Sequence, residues 1–177
     1  MARVSSSLAT LPVGLEETML TGSSDVYIGY RYYEFADREV LFPFGHGLSL
    51  TTFEFEGLEV AEKDGKITVG LTVKNTGPTK GQEVVQVYVK PPKQAVNRPV
   101  KELKGFAKVE VDAGKSEKVT VEIETKYAAS YWDEFRDQFC AEAGEYEVIV
   151  ANSSQAKKEQ SLKGTFTVGE TFWWLGV

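Results

Sequence analysis

The sequence predicts an all-β antiparallel sandwich preceded by an extended aromatic arm. Three observations predict it. From residue 51 onward, apolar and polar residues alternate with a period of two, the spacing of strands with one buried and one wet face. Turn-forming clusters such as Asn75-Thr76-Gly77-Pro78 and Asp112-Ala113-Gly114 separate those stretches. Ahead of them, Leu41-Phe42-Pro43-Phe44-Gly45-His46-Gly47-Leu48-Ser49 is too aromatic for an ordinary linker, and too rich in Gly and Pro for a helix or central strand.

Taken in order, residues 1–24 are small and polar with little periodicity, which reads as linker. Residues 25–50 form the aromatic arm: Pro43 fixes its own φ, and Gly45 and Gly47 can take positive φ around His46, which predicts an extended, sharply turned segment. The β domain spans 51–170 and opens with a strand from Phe53 to Val60. Ile67, Val69, Leu71 and Val73 then alternate with polar or small neighbours. Val85, Val87 and Val89 face one way and Gln86, Tyr88 and Lys90 the other, until Pro91-Pro92 removes two ladder donors. Leu103 to Val111 and Val119-Val121-Ile123 repeat the pattern. Lys126 to Phe139 does not, and reads as a loop with a short helix. Tyr146, Val148 and Val150 make a further strand, Leu162, Phe166 and Val168 the last, and 171–177 form an apolar tail. About seven strands is the number expected of an immunoglobulin-like sandwich.

A length of 177 residues suits one domain with an extension, large enough to bury a core without metal or disulfide. Net charge is −6 with dispersed basic residues, which argues against nucleic acid or anionic membrane as partner. Cys140 is alone, so no intrachain disulfide is possible, and a passive thiol is expected. Ser5, Ser6, Ser7, Thr10, Pro12 and Glu16 interrupt any apolar signal segment, so the expected location is cytoplasmic, or secreted if the chain is cut from a secreted parent. Asn152-Ser153-Ser154 fits a glycosylation acceptor, but so short a motif is expected by chance.

Several motifs occur in an order that resembles a known family. They are Gly29-Tyr30-Arg31-Tyr32-Tyr33, the Leu41–Ser49 run, Thr51-Thr52-Phe53, Asn75-Thr76-Gly77, and Gly81-Gln82-Glu83-Val84-Val85-Gln86-Val87-Tyr88-Val89. Arg98-Pro99-Val100-Lys101-Glu102-Leu103-Lys104-Gly105-Phe106 and Ala143-Gly144-Glu145-Tyr146 complete the set. Together they resemble the fibronectin type III-like domain that ends family 3 glycoside hydrolases, β-glucosidases of fungal type. Phe172 to Val177 resembles the ends of fungal members, and the similarity runs from about Asp25 onward. Leu50 departs from the pattern, standing where an aromatic commonly follows the Gly-Leu-Ser turn.

The resemblance implies a parent that hydrolyses β-glucosides with two carboxylates. The family's nucleophilic Asp precedes a Trp in a Ser-Asp-Trp-type segment; here the only comparable dipeptide, Ser24-Asp25, is followed by Val26. Neither catalytic residue can be carried over, so this chain alone is not expected to be an enzyme. Asp133, Glu134 and Asp137 read as a solvated loop or helix face, with Tyr131, Trp132, Phe135 and Phe139 packing inward. His46 is the only histidine and has no ligand cluster around it, so a turn histidine bonded to nearby backbone is expected, with no metal or cofactor.

The aromatics remain as the functional candidates: Tyr30, Arg31, Tyr32, Tyr33, Phe42 and Phe44 in the arm, and Trp173 and Trp174 at the C-terminal end. Three readings stay open. The rings cap the sandwich's own core, dock against a catalytic domain as the resemblance implies, or stack on pyranose rings. The expected function is a non-catalytic scaffolding or docking domain of a family 3 β-glucosidase-like hydrolase, partnered by its catalytic domain. The alternative is a stand-alone carbohydrate-binding module that takes polysaccharide on surface aromatics. Self-association through the aromatic arm is a further expectation.

Overall fold

The computed structural model describes residues 26–92, 98–156 and 161–176; the expected linker over 1–24 lies outside them. Ten strands and two short helices are present among the described residues. Strands β1 (Phe53–Lys63), β2 (Lys66–Asn75) and β5 (Ser116–Glu124) form one sheet, in the order β1-β2-β5. Strands β3 (Gly81–Lys90), β4 (Glu102–Val111), β8 (Gly144–Ala151) and β9 (Ser161–Val168) form the other, in the order β4-β3-β8-β9. All pairings are antiparallel, and these seven strands are the sandwich that the alternation predicts.

The alternation builds the core directly. Ile67, Val69 and Leu71 on β2 sit opposite Ile123, Val121 and Val119 on β5, all buried. Val85, Val87 and Val89 with Tyr146, Val148, Val150, Phe166 and Val168 supply the facing layer. Burying each such side chain stabilises the fold by roughly 1.5–3 kcal/mol. Tyr146 and Phe166 stack at 5.1 Å within it. A bulge opposite the Val87–Tyr88 step places Lys104 as an extra residue on β4. Next to it, Gly105 lets β4 close over β5: a Cβ there would stand 2.8 Å from Val121 Cγ1.

Four features depart from the sequence-based expectation. First, Tyr30–Phe35 of the arm form a helix, α1, where the sequence predicts an extended segment; of the two glycines able to take positive φ, Gly45 does so, at 81°. Second, Gln86 and Tyr88 on the outer face of β3 are as buried as the valines between them, because the arm covers that face. Third, the region without alternation contains a short helix α2 (Thr125–Ala129), but also a hairpin of β6 (Tyr131–Asp133) and β7 (Gln138–Ala141). Fourth, β10 (Phe172–Trp174) within the apolar tail pairs with β7, completing a small third sheet in the order β10-β7-β6.

Candidate functional site

The arm has two faces with opposite fates. On its inner face Tyr30 stacks on Phe44 at 5.0 Å and meets Tyr88 edge-on at 6.0 Å. The Tyr30 hydroxyl accepts the Leu103 N–H at 2.9 Å, which ties α1 to β4. α1 has only six residues and no side-chain cap, so packing and these bonds hold it rather than helix propensity. Further along, His46 N–H donates to the Pro43 carbonyl at 2.9 Å, closing a turn whose third residue, Gly45, carries the positive φ. Only glycine fits there for a second reason: a Cβ on Gly45 would collide with the Gln86 amide. Gln86 Nε2 donates to the Asn152 carbonyl at 2.8 Å, and its Oε1 accepts the Tyr88 hydroxyl at 2.6 Å. Ser154 N–H donates to the Phe44 carbonyl at 2.8 Å. Burial pushes the Tyr88 phenol far above its ordinary pKa.

An ion network locks α1 in place. Glu102 on β4 accepts Arg31 from the arm at 2.9 Å, Lys104 at 3.3 Å and Arg98 at 3.6 Å. Arg98 also donates to the Ala129 carbonyl at 3.0 Å and lies over the Tyr131 ring at 5.1 Å. Burial lowers the pKa of the Lys104 ammonium, with Glu102 opposing the shift. Beside this cluster Glu34 pairs with Lys101 at 3.2 Å, and burial raises the Glu34 pKa against the pull of that lysine. The Gly-Tyr-Arg and Arg-Pro-Val-Lys-Glu motifs, 67 positions apart at Arg31 and Arg98, therefore meet at one carboxylate.

On the outer face the arm leaves apolar side chains in water. Leu41, Leu48 and Leu50 are each more than 90% exposed, and Phe42 is 73% exposed. Phe42 lies 5.7 Å from the His46 ring in a tilted contact, and the His46 main-chain N–H bonds the Pro43 carbonyl, so the turn histidine is bonded to nearby backbone through its own backbone. Phe44 is half exposed, Tyr33 is exposed, and Tyr32 meets Tyr33 edge-on at 5.6 Å. Of the arm residues singled out from sequence, Tyr30 and Arg31 thus bind the sandwich, while Tyr33, Phe42 and Phe44 border the uncovered surface. Sequence reasoning missed Leu41, Leu48 and Leu50 as members of that surface, and Phe106 as an exposed residue of β4. Phe106 pairs in register with Gln86 and is exposed. Its signal was available: it is the one large apolar residue out of phase on β4.

Trp173 and Trp174 lie elsewhere, on the small third sheet, and their faces are already in use. The Trp173 indole N–H donates to Asp133 Oδ2 at 3.1 Å, and the Arg136 guanidinium covers the ring at 4.0 Å. Trp174 donates to Ser130 Oγ at 2.9 Å and stacks on Phe139 at 4.7 Å. The expectation that the hairpin aromatics pack inward fails for two of four: Phe135 is fully exposed and Trp132 is 45% exposed. They occupy the tip and first strand of a hairpin too short to fold back over them. Cys140 is buried, and burial pushes its thiol above the ordinary range.

Residues 83–154 match the family model described as a fibronectin type III-like domain. Among solved structures, the chain is similar to the β-glucosidase of Kluyveromyces marxianus in complex with glucose, with a TM-score of 0.81 and 44% identity, over 86% of this chain and 18% of that one. β-Glucosidase 3B of Thermotoga neapolitana is similar at a TM-score of 0.79 and 40% identity, over 87% of this chain and 21% of that one. In sequence, the probable β-glucosidase I of Neosartorya fischeri is 48% identical over 161 residues, 86% of this chain. The chain spans about a fifth of the length of the curated relatives it matches.

Proposed function

We propose that this chain, a fibronectin type III-like domain similar to a segment of family 3 β-glucosidases, is a non-catalytic docking and scaffolding unit of such a hydrolase. The parent would cleave β-glucosides by the retaining two-carboxylate route, with both carboxylates supplied outside this chain. One observation carries the reading. The inner face of the arm is bonded to the sandwich, while Leu41, Phe42, Leu48 and Leu50 on the same arm stay exposed. The sandwich thus holds an apolar edge rigidly toward solvent, and a rigid apolar patch marks an interface.

The experiment uses a related β-glucosidase prepared without its own corresponding segment. Mixed with this chain, it should form a 1:1 complex and gain thermal stability. Substituting Leu41, Leu48 and Leu50 together by Ser should weaken the complex at least about tenfold, the scale of losing central apolar contacts. The chain alone should not turn over an aryl β-glucoside. A complex that tolerates the triple substitution, or turnover by the isolated chain, would overturn the reading.

A further inference from the structure

Glu102 gathers more positive charge than one carboxylate neutralises. Its Oε1 takes Arg31 at 2.9 Å, and its Oε2 is shared by Lys104 at 3.3 Å and Arg98 at 3.6 Å. The Arg98 and Lys104 side chains are only 6% and 16% exposed, so water does little to screen the surplus. Burial, and behind it Arg98 and Arg31, lowers the Lys104 pKa against the pull of Glu102, as for a cation short of countercharge. Lys104 also lines a cavity of about 330 Å³, together with Lys126, Tyr127, Ser130, Phe139 and Trp174. No Asp or Glu is among the described residues lining it, whereas the neighbouring cleft at Arg98 is lined by Glu102, Asp133 and Glu134. The surplus charge therefore meets open space on the Lys104 side.

Donors reach this cavity from three places: Lys104 on β4, Lys126 on α2, and Ser130 just after α2. Lys126 pairs at 3.2 Å with Glu124, which does not line the cavity, and lies 5.3 Å over the Trp174 ring. Ser130 Oγ accepts the Trp174 indole N–H, which leaves its own O–H to donate. The remaining wall is aromatic: Trp174 stacks on Phe139, and Tyr127 meets Trp174 edge-on at 5.3 Å. An inorganic anion would set dry oxygens against these rings; a carboxylate bearing a hydrocarbon group covers them instead. We propose that this cavity binds a small organic monocarboxylate, with Lys104 and Lys126 as its countercharges and Ser130 as hydroxyl donor. The site shares no residue with the exposed edge of the arm, so it holds or fails independently of the docking reading.

The test is isothermal titration calorimetry of the full chain near neutral pH with sodium benzoate, beside its neutral counterpart benzamide and inorganic phosphate. Benzoate should bind saturably at one site per chain, with benzamide and phosphate at least about tenfold weaker. Lys104→Gln and Lys126→Gln should each weaken benzoate about tenfold, the scale of losing one charge-assisted bond. Lys126 is partly exposed and stands outside the Glu102 cluster, so its variant decides the matter even where Lys104→Gln fails to fold. Lys108→Gln, exposed on β4 and away from the cavity lining, should bind as the wild type does. No saturable benzoate binding, benzamide bound as tightly as benzoate, or binding that survives Lys126→Gln would overturn the proposal. Phosphate bound as tightly as benzoate would overturn it too, in favour of a plain anion site.

Discussion

Asn75 shows at the scale of one residue what alternation does not reveal. The sequence marks Asn75-Thr76-Gly77 as a turn, and the structure adds that the Asn75 side chain is wholly buried. Its Oδ1 accepts the Thr51 hydroxyl at 2.6 Å and the Gly77 N–H at 3.0 Å, and its Nδ2 donates to the carbonyls of Thr79 at 2.8 Å and Val111 at 3.0 Å. One amide thus joins the start of the domain to two turns. Asn75→Ala would leave these groups dry and unpartnered, so urea unfolding should show a loss of about 2–4 kcal/mol; a loss below about 0.5 kcal/mol would contradict this role. Glu102 is the electrostatic counterpart. Glu102→Gln strands three cations in a half-buried cluster, and the expected destabilisation is about 2–4 kcal/mol, discounted because Arg31 remains partly hydrated. Neither role was legible, because each depends on residues brought together from separate motifs.

The arm is the element whose behaviour the sequence least determines. Its aromatic density announced that it covers something; what it covers, Gln86 and Tyr88 on the outer face of β3, lies more than 40 positions away from the Gly45 turn it packs against. β3 accordingly read as a strand with one wet face, although α1 and the turn bury both. Gly45→Ala should lift the turn off Gln86, costing about 1–3 kcal/mol and opening the arm to limited proteolysis; a protease-resistant variant would count against the seating described here. Titration of the same region gives a pH signature. Burial raises the Glu34 pKa on α1 and the Glu83 pKa on β3, so the folded state binds their protons more tightly than the unfolded chain. Their contribution is therefore fully present below the ordinary carboxylate pKa and is lost as pH rises through the raised values. Glu147 is lowered by Lys163 and then Lys90, so its contribution is present above the ordinary value and disappears as pH falls through the depressed one. Thermal stability should climb as pH drops from neutral toward the carboxylate range and decline below it. Glu83→Gln should flatten the climb; an unchanged profile would show that Glu83 does not drive it.

For the whole molecule, the seven-strand sandwich was readable because each core strand alternates cleanly, as Ile67 to Val73 does, and because the turns between them carry Gly, Pro and Asn. The surfaces were readable only in part. Phe42 and Phe44 stood out by composition, whereas Leu48, Leu50 and Phe135 became visible only once the backbone showed which way each element turns. The same exposed edge that would meet a catalytic partner is available to a second copy, so light scattering should show mass rising with concentration, and the triple Leu→Ser variant should stay monomeric. A wild-type chain that remains strictly monomeric at all concentrations would remove that expectation while leaving the docking claim in place. The docking claim itself is tested most directly by hydrogen exchange along the arm, with and without a related β-glucosidase lacking its own corresponding segment. Slowed exchange confined chiefly to residues 41–50 is the predicted result; unchanged exchange there, or protection on another face alone, would contradict it.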